Sequence, residues 1–396
     1  MLTYLSTNTV PHRHAQAGTW LELFFDLIYV AILVELGNRL SHDISMEGLL
    51  QFLFLFFIVW WSWWDKVFYS RFFPNDDIGQ RFLVFVYMAL MGLMAFNIHD
   101  ITGSTAVYFL LAYAASKLII ALMYVKAWRQ YPQYRPMTRL YSASFSVGAI
   151  AWLAIALFAP TNFLVWALVI GVGIGLQVIL TIAQSGNNQS SFEMPPMKED
   201  YMRHRFGELT IIVLGEFFIK VITSASEREV YLVTLLYFFL LLSISIGLWW
   251  LYFDHHEHAA LAKRPSRMEI WIYVHYPLLA AITAYGVVGS KVMALFPGEA
   301  MSDEKRWLFC GALATAIACT AVIEWAFREK TSAMSRSPQT LNRIFGAIVL
   351  ILLALFGGGL GIPLFVSIIA ITIILLVGLD ISGRLRNPVS AQAEMS

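Results

Sequence analysis

Three carboxylates, Glu22, Asp26 and Glu35, lie inside an apolar stretch near the start of the chain. Glu22 and Asp26 fall within residues 18–36, whose length and composition are typical of a membrane-spanning helix. On a helix these two residues are one turn apart, and Tyr29 continues the same face. Stacked carboxylates repel each other, and a hydrocarbon layer disfavours each ionised group further. The pattern therefore predicts a partner for them: a cation, a bound proton or a polar cavity.

Five more ionisable side chains fall inside apolar segments: Lys117, Glu208, Glu216, Lys220 and His275. Glu216 and Lys220 have the i, i+4 spacing at which opposite charges pair within one helix. Counting from the ends of their segments places Lys117 and Glu216 roughly 14–15 Å deep in the apolar layer. His275 precedes Tyr276 and Pro277, and the proline predicts a break in the helix there.

These charges have two interpretations, and the sequence leaves both open. They line a polar pathway along the bundle, or they form pairs between helices that only fix packing. Asp26 is the best candidate for function, because it lies roughly 10 Å deep, beyond the reach of helix capping. Glu22 and Glu208 lie near helix starts, where the helix dipole and Arg205 stabilise a carboxylate. If all groups are ionised, the four carboxylates face two lysines and two negative charges are unmatched.

A run of histidines follows the eighth apolar segment. In this run Asp254 and His258 have i, i+4 spacing, and His255 and His258 have i, i+3 spacing, so a metal ion is one interpretation. Solvated histidines at a lipid headgroup layer are the alternative, because the spacing matches no defined ligand motif. Phosphate-binding loops, haem attachment motifs and nucleophile triads are absent from the sequence. We therefore expect no cofactor and no ATP-driven pump.

The composition indicates a membrane protein. The chain has 396 residues, of which 59% are hydrophobic and 13% are charged. Soluble domains contain about 45–50% apolar and about 25% charged residues. With 27 Lys and Arg against 26 Asp and Glu, the chain has no charge surplus for nucleic acid. The expected partners are the lipid bilayer and a small ion or small molecule.

Windowed hydropathy predicts twelve membrane spans and thus an all-α polytopic fold. The predicted spans are 19–38, 49–68, 81–98, 105–126, 139–158, 162–182, 206–224, 230–253, 269–290, 307–327, 341–357 and 361–381. Within the sixth span, Gly171 and Gly175 predict close packing against another helix.

Lys and Arg residues are distributed unevenly between the two sides of these spans. If the N-terminus, the even-numbered loops and the C-terminus share one side, that side holds 20 of the 27 basic residues. The other side holds 5, and Lys117 and Lys220 lie within spans. This count treats Lys66, Arg205 and Arg343 as loop residues. Because basic loops stay in the cytoplasm, both termini are predicted to be cytoplasmic.

The two halves of the chain resemble each other. A Trp-rich motif ending in aspartate closes the second span at Trp60–Asp65, and another closes the eighth at Trp249–Asp254. Glu22 at the start of the first half matches Glu208 in the second, each followed by leucine. Six spans is an even number, so such repeats would insert in parallel. The predicted units are a first six-helix repeat (1–183), a cytoplasmic linker (184–205) and a second six-helix repeat with the C-terminal tail (206–396).

Several stretches resemble the bacterial low temperature requirement protein A (LtrA) family. These are WLELFFDL at Trp20–Leu27, Asp76 and Asp77 with Arg81, RFGELTIIVLGE at Arg205–Glu216, and WWLYF at Trp249–Phe253. The resemblance covers nearly the whole chain. It implies a multi-pass protein of the bacterial cytoplasmic membrane, linked by name to growth in the cold, and supplies no settled activity.

The favoured function is a secondary transporter coupled to protons or another cation, using carboxylates inside the membrane. A cation channel is the first alternative, because Phe25–Ile32 also resembles the first helix of lysosomal-type potassium channels built from six-helix repeats. Phe25 occupies the position of that motif's serine, and the second half has no matching aspartate. A homodimer would complete a four-repeat pore. A metal-dependent membrane enzyme or lipid-handling protein is the less favoured alternative.

Overall fold

The computed structural model describes residues 20–74, 77–186, 199–226, 231–256, 265–295, 299–327 and 338–386. These ranges contain twelve α-helices, two short 3₁₀ turns and no β-strand, and each helix overlaps one predicted span. The all-helical prediction is confirmed. The helices are α1 Trp20–His42, α2 Met46–Phe72, α3 Ile78–Phe96, α4 Ala106–Gln130, α5 Arg135–Phe158, α6 Phe163–Gly186, α7 Glu199–Ser226, α8 Leu232–His256, α9 Pro265–Val292, α10 Asp303–Phe327, α11 Pro338–Phe356 and α12 Ile362–Arg386.

Ten of the helices in these ranges are long and apolar enough to cross a membrane. Helix α1 is not one of the ten, because Glu22, Asp26, Glu35 and Arg39 recur along its length. Helix α6 contributes a shorter apolar stretch, Phe163–Gly175. The architecture is that of a polytopic membrane protein in which α1, despite its charged residues, packs against four other helices.

Local side chains define where several helices begin. Ser45 caps α2 by accepting a hydrogen bond from the Gly48 amide at 3.1 Å. Asp77 caps α3 by accepting from the Gln80 amide at 2.8 Å, and it also pairs with Lys126 of α4 at 2.5 Å. Each cap satisfies an amide that has no partner within its own helix. The Asp77 contact additionally joins the start of α3 to the end of α4.

The centre of the bundle is formed by α1, α7 and α9. Helix α1 packs on α2, α3, α7 and α9, and α7 packs on α8 and α9. The pairings of α1 with α3, α3 with α4 and α4 with α5 recur as α7 with α9, α9 with α10 and α10 with α11. A duplicated six-helix unit would produce this recurrence, and duplication stays a prediction. The two halves meet through α1 and α2 on one side and α7 and α9 on the other.

The outer helices expose large apolar side chains. Examples are Ile150 on α5, Val172 on α6, Phe345 on α11 and Leu375 on α12, each more than half exposed. In a membrane such faces contact lipid, where apolar surface carries no hydration penalty. The buried ion pairs among the described residues lie instead on α1, α2, α4 and α7 and between α10, α11 and α12.

Three expectations about local structure are wrong. Pro277 does not break the helix, because α9 continues through it to Val292 while enclosed by neighbouring helices. Helix α7 begins at Glu199, so the last seven residues of the predicted linker are helical. Gly171 and Gly175 do not pack closely against another described helix, because a Cβ atom at either position would meet no atom of another described helix within 4 Å.

Candidate functional site

A buried ion pair joins the two halves of the chain. Asp26 of α1 accepts a hydrogen bond from an Arg205 guanidinium nitrogen of α7 at 2.5 Å, and both side chains are wholly buried. The indole Nε1 of Trp63 in α2 donates to the same Asp26 oxygen, Oδ1, at 2.8 Å. Asp26 thus ties together α1, α2 and α7 through one oxygen atom.

Glu22 lies one turn before Asp26 and has partners in the same two neighbouring helices. Its carboxylate is 3.4 Å from Lys66 Nζ of α2 and accepts from the Tyr201 hydroxyl of α7 at 2.5 Å. Lys66 also lies over the Phe25 ring, 5.1 Å from its centroid. The expected repulsion between the two stacked carboxylates is therefore offset by a separate cation for each.

Glu208 completes this group of charges, which we call the inter-half network (Glu22, Asp26, Lys66, Tyr201, Arg205 and Glu208). Arg205 donates to Glu208 at 2.9 Å while also holding Asp26. The other Glu208 oxygen is 3.1 Å from Nε2 of His204, which is exposed. The network therefore extends from the buried Asp26 to the surface at the end of the bundle where α1 and α7 begin.

Aromatic rings surround the network. Phe206 packs its ring 5.0 Å from that of Trp63 and 4.4 Å from that of His275. His275 is itself buried, with Nδ1 donating to the Trp271 carbonyl at 2.6 Å and Nε2 within 2.9 Å of the Tyr252 hydroxyl. A carbonyl only accepts, so Nδ1 carries a proton, and both ring nitrogens of His275 are engaged. This places His275 in the packing around the network and outside its charges.

Lys117 belongs to a second buried pair, within the first half. Its ammonium group hydrogen-bonds to Asp65 of α2 and lies over the Tyr113 ring, 4.5 Å from the centroid. Both charged side chains are more than nine-tenths buried. Sequence reasoning offered Lys117 as a cation for other carboxylates, and the structure gives it a partner of its own.

Glu216 and Lys220 form the predicted pair within α7, with 2.9 Å between Oε1 and Nζ. Lys220 lies against Gly37 of α1, where a Cβ atom would overlap its ammonium group. The two other nearest atoms to that Cβ position belong to Thr283 and Val287 of α9. The pair therefore occupies the contact between α1, α7 and α9, farther along the bundle than Asp26.

A fourth charged group was not expected from the sequence. Arg343 of α11 is 2.9 Å from Asp380 of α12 and 3.6 Å from Glu324 of α10, and it donates to the Thr320 carbonyl at 2.9 Å. All three charged side chains are at most 2% exposed. They join the last three helices of the second half.

The histidine run lies mostly outside the described residues. Helix α8 continues to His256, but the side chain of His255 and all of His258 are outside the described part. Within the described ranges, no group of three or more His, Cys, Asp or Glu side chains is placed to hold a metal ion.

The expected excess of two negative charges is too large, because Lys66 and Arg205 were counted as loop residues. Both are buried in the bundle and pair with three of the four carboxylates in the expected set. Arg343, also counted as a loop residue, is buried and pairs with two further carboxylates. A usable signal existed, because Lys66, Arg343 and Asp380 fall inside the predicted spans 49–68, 341–357 and 361–381. The sequence does not show which helices pack together, and this packing decides which charges pair.

Apolar helices of membrane-spanning length around paired internal charges define a polytopic membrane protein with a charged interior. The chain belongs to the bacterial low temperature requirement A protein (LtrA) family, whose model matches residues 17–379. It is also similar to RA0937, an uncharacterised protein of Rhizobium meliloti (strain 1021), with 24% identity over 280 residues and 67% of each chain covered. The stretches Trp20–Leu27 and Arg205–Glu216, which carry the family resemblance, supply Asp26 and Arg205 to the same ion pair.

Proposed function

We propose that this protein is a secondary transporter of the bacterial cytoplasmic membrane, coupled to protons or another small cation. Asp26 is the coupling carboxylate in this proposal. Ionisable residues buried in membrane helices mark ion pathways and proton relays in many transporters. Asp26 lies where the two halves of the chain meet, which is where alternating access requires a reversible contact.

One observation carries the proposal: the two oxygens of Asp26 have different surroundings. Oδ1 accepts from Arg205 and Trp63, whereas Oδ2 is buried and accepts no hydrogen bond from a described residue. The Tyr29 hydroxyl, one turn further along the same helix face, is likewise buried without a hydrogen bond among the described residues. A buried carboxylate oxygen that has no hydrogen-bond donor is suited to bind a proton or a small cation.

Protonation of Asp26 would weaken its attraction to Arg205 and so loosen the contact between α1 and α7. Arg205 would not be left as a lone buried charge, because Glu208 already accepts from it at 2.9 Å. A cation with two carboxylate partners can release one at a smaller cost than a cation with a single partner. The inter-half network therefore provides a way to couple ion binding to the relative position of the two halves.

The test is ion flux in proteoliposomes of the purified protein under imposed proton, sodium and potassium gradients. We expect wild-type flux under one of these gradients and its loss in Asp26→Asn, which keeps the shape but removes the ionisable group. The matched control is Asp303→Asn, because Asp303 also pairs with an arginine, Arg306, yet its side chain is 82% exposed. The control variant should transport like wild type.

The same experiment separates the transporter from the channel. Flux that saturates with a co-transported solute supports the transporter, whereas ionic current without any solute supports the channel. Equal flux in wild type and a folded Asp26→Asn variant would contradict a coupling role for Asp26. Absence of flux under all three gradients would contradict both functions for these ions.

A further inference from the structure

A polar cavity lies at the opposite end of α1 from the inter-half network. Its volume is about 520 Å³, within the range of small-molecule sites. The cavity is formed where α1 ends, α2 begins and the α3–α4 connection passes over them. Its lining residues are Glu35, Asn38, Arg39, Ser41, His42, Asp43, Gly48, Gln51 and His99.

Glu35 faces this cavity without the ion pair that its sequence position predicts. Glu35 and Arg39 have the i, i+4 spacing that favours a salt bridge on a helix. The Arg39 guanidinium instead donates to the Gln51 side-chain oxygen at 2.9 Å and to the His99 carbonyl at 3.2 Å. Among the described residues, Glu35 forms neither a hydrogen bond nor an ion pair through its side chain, so its charge is available to a ligand.

Asp43 gives the cavity a second carboxylate. The Ser45 hydroxyl and amide stabilise its ionised form and lower the pKa of Asp43 below its usual value. The Arg39 charge also favours the ionised form of Asp43, and the two carboxylates outnumber this one arginine in the lining. A divalent metal is not the ligand that this geometry suits, because no set of three metal-ligating side chains converges within the described residues.

We infer that this cavity binds a small organic ammonium ion, with Glu35 as its principal counter-ion and Asp43 as the second. The Ser41 hydroxyl, which also lines the cavity, offers a neutral oxygen acceptor for a remaining N–H group of such a ligand. Glu35 lies nine residues beyond Asp26, about 14 Å along α1. The inference stands on the cavity alone and holds whether or not Asp26 couples transport.

The test uses a cysteine placed in the cavity at Asn38. Both native cysteines, Cys310 and Cys319, are buried, so labelling reports the new thiol. The rates of reaction with a trimethylammonium-ethyl and a sulfonato-ethyl methanethiosulfonate are compared in purified protein. Thr161→Cys is the control, because Thr161 is exposed in an uncharged turn between α5 and α6.

The cationic reagent should react preferentially at Asn38→Cys relative to Thr161→Cys. Adding Glu35→Gln removes one unit charge about one helical turn from the thiol, which should lower this preference roughly tenfold at low salt. Ethylammonium chloride should slow labelling at Asn38→Cys more than sodium chloride at the same ionic strength. Asp43→Asn should produce a smaller change of the same sign.

Two results would overturn the inference. One is a preference for the cationic reagent at Asn38→Cys that is no greater than at Thr161→Cys. The same conclusion follows if this preference is unchanged when Glu35→Gln is added and the double variant elutes as folded protein. The other is equal slowing by ethylammonium and sodium, because the carboxylates would then supply only a surface potential. Neither result depends on ion flux, so failure here is distinguishable from failure of the transport proposal.

Discussion

Arg205 is the residue on which the inter-half network depends, because it holds two carboxylates at once. Asp26 and Glu208 are 2.5 and 2.9 Å from its two terminal nitrogens. An arginine guanidinium offers five donors in a rigid plane, so it can serve two acceptors without moving. Lysine at this position would provide a single ammonium group without two terminal nitrogens held in one plane.

Arg205 has two carboxylate partners, whereas Asp26 has one cation. Removing the charge of Arg205 should therefore lower stability more than removing the charge of Asp26. Arg205→Gln leaves Asp26 buried without a cation and should lower the free energy of unfolding by about 3–5 kcal/mol. Asp26→Asn should have the smaller effect, because Arg205 keeps Glu208. The double variant should lose less than the sum of the single variants, since each deletion removes the same contact.

The measurement is unfolding of the purified protein by titration with a denaturing detergent in mixed micelles. Arg203→Gln serves as the control, because Arg203 pairs with the exposed Asp200, and such surface pairs contribute about 0–1 kcal/mol. If Asp26→Asn destabilised the protein more than Arg205→Gln, the second pairing of Arg205 with Glu208 would have no energetic role.

At the scale of helices, close packing depends on glycines that the sequence pattern did not single out. Gly247 of α8 lies so close to α12 that a Cβ atom would overlap Cγ2 of Ile373. At Gly311 of α10, by contrast, a Cβ would meet no atom of a neighbouring described element within 4 Å. Two glycines in similar apolar helices therefore have opposite packing environments.

Alanine substitution should separate these two glycines. Gly247→Ala should lower the free energy of unfolding by about 1–3 kcal/mol through overpacking. Gly311→Ala should leave it unchanged or raise it by up to about 1 kcal/mol, because alanine favours the helix and fills open space. Adding Ile373→Ala to Gly247→Ala should recover part of the loss. The same detergent titration measures all three, and equal effects of the two glycine substitutions would contradict the α8–α12 contact.

At the scale of the whole molecule, sidedness follows from the distribution of basic residues and stays a prediction. By chain order the α4–α5 turn and the α5–α6 turn lie at opposite ends of α5. Gln133 is exposed in the first turn and Thr161 in the second. Basic loops on the side of Gln133 predict that this turn is cytoplasmic.

Cysteine labelling in intact cells tests this orientation. A membrane-impermeant maleimide should label Thr161→Cys in intact cells and Gln133→Cys only after permeabilisation. Wild-type protein, whose two cysteines are buried, provides the background. The reverse pattern would place both termini outside and would invert the direction in which the inter-half network faces.

The sequence alone determined the class of the protein and the positions of its helices. Apolar runs of sufficient length predict membrane spans because the backbone in hydrocarbon must satisfy its own hydrogen bonds, and this constraint is local. For the same reason the i, i+4 pair of Glu216 and Lys220 was predictable from spacing within one helix.

Tertiary structure decided which charges compensate one another. Asp26 and Arg205 are 179 residues apart, and Lys117 and Asp65 are 52 apart, so only the packing of α1 on α7 and of α2 on α4 brings them together. The tertiary structure also places Gln51 and the His99 carbonyl within hydrogen-bond distance of the Arg39 guanidinium, and Arg39 binds these groups instead of Glu35. Spacing along one helix predicts which contacts are available to a side chain, whereas the neighbouring helices determine which of those contacts forms.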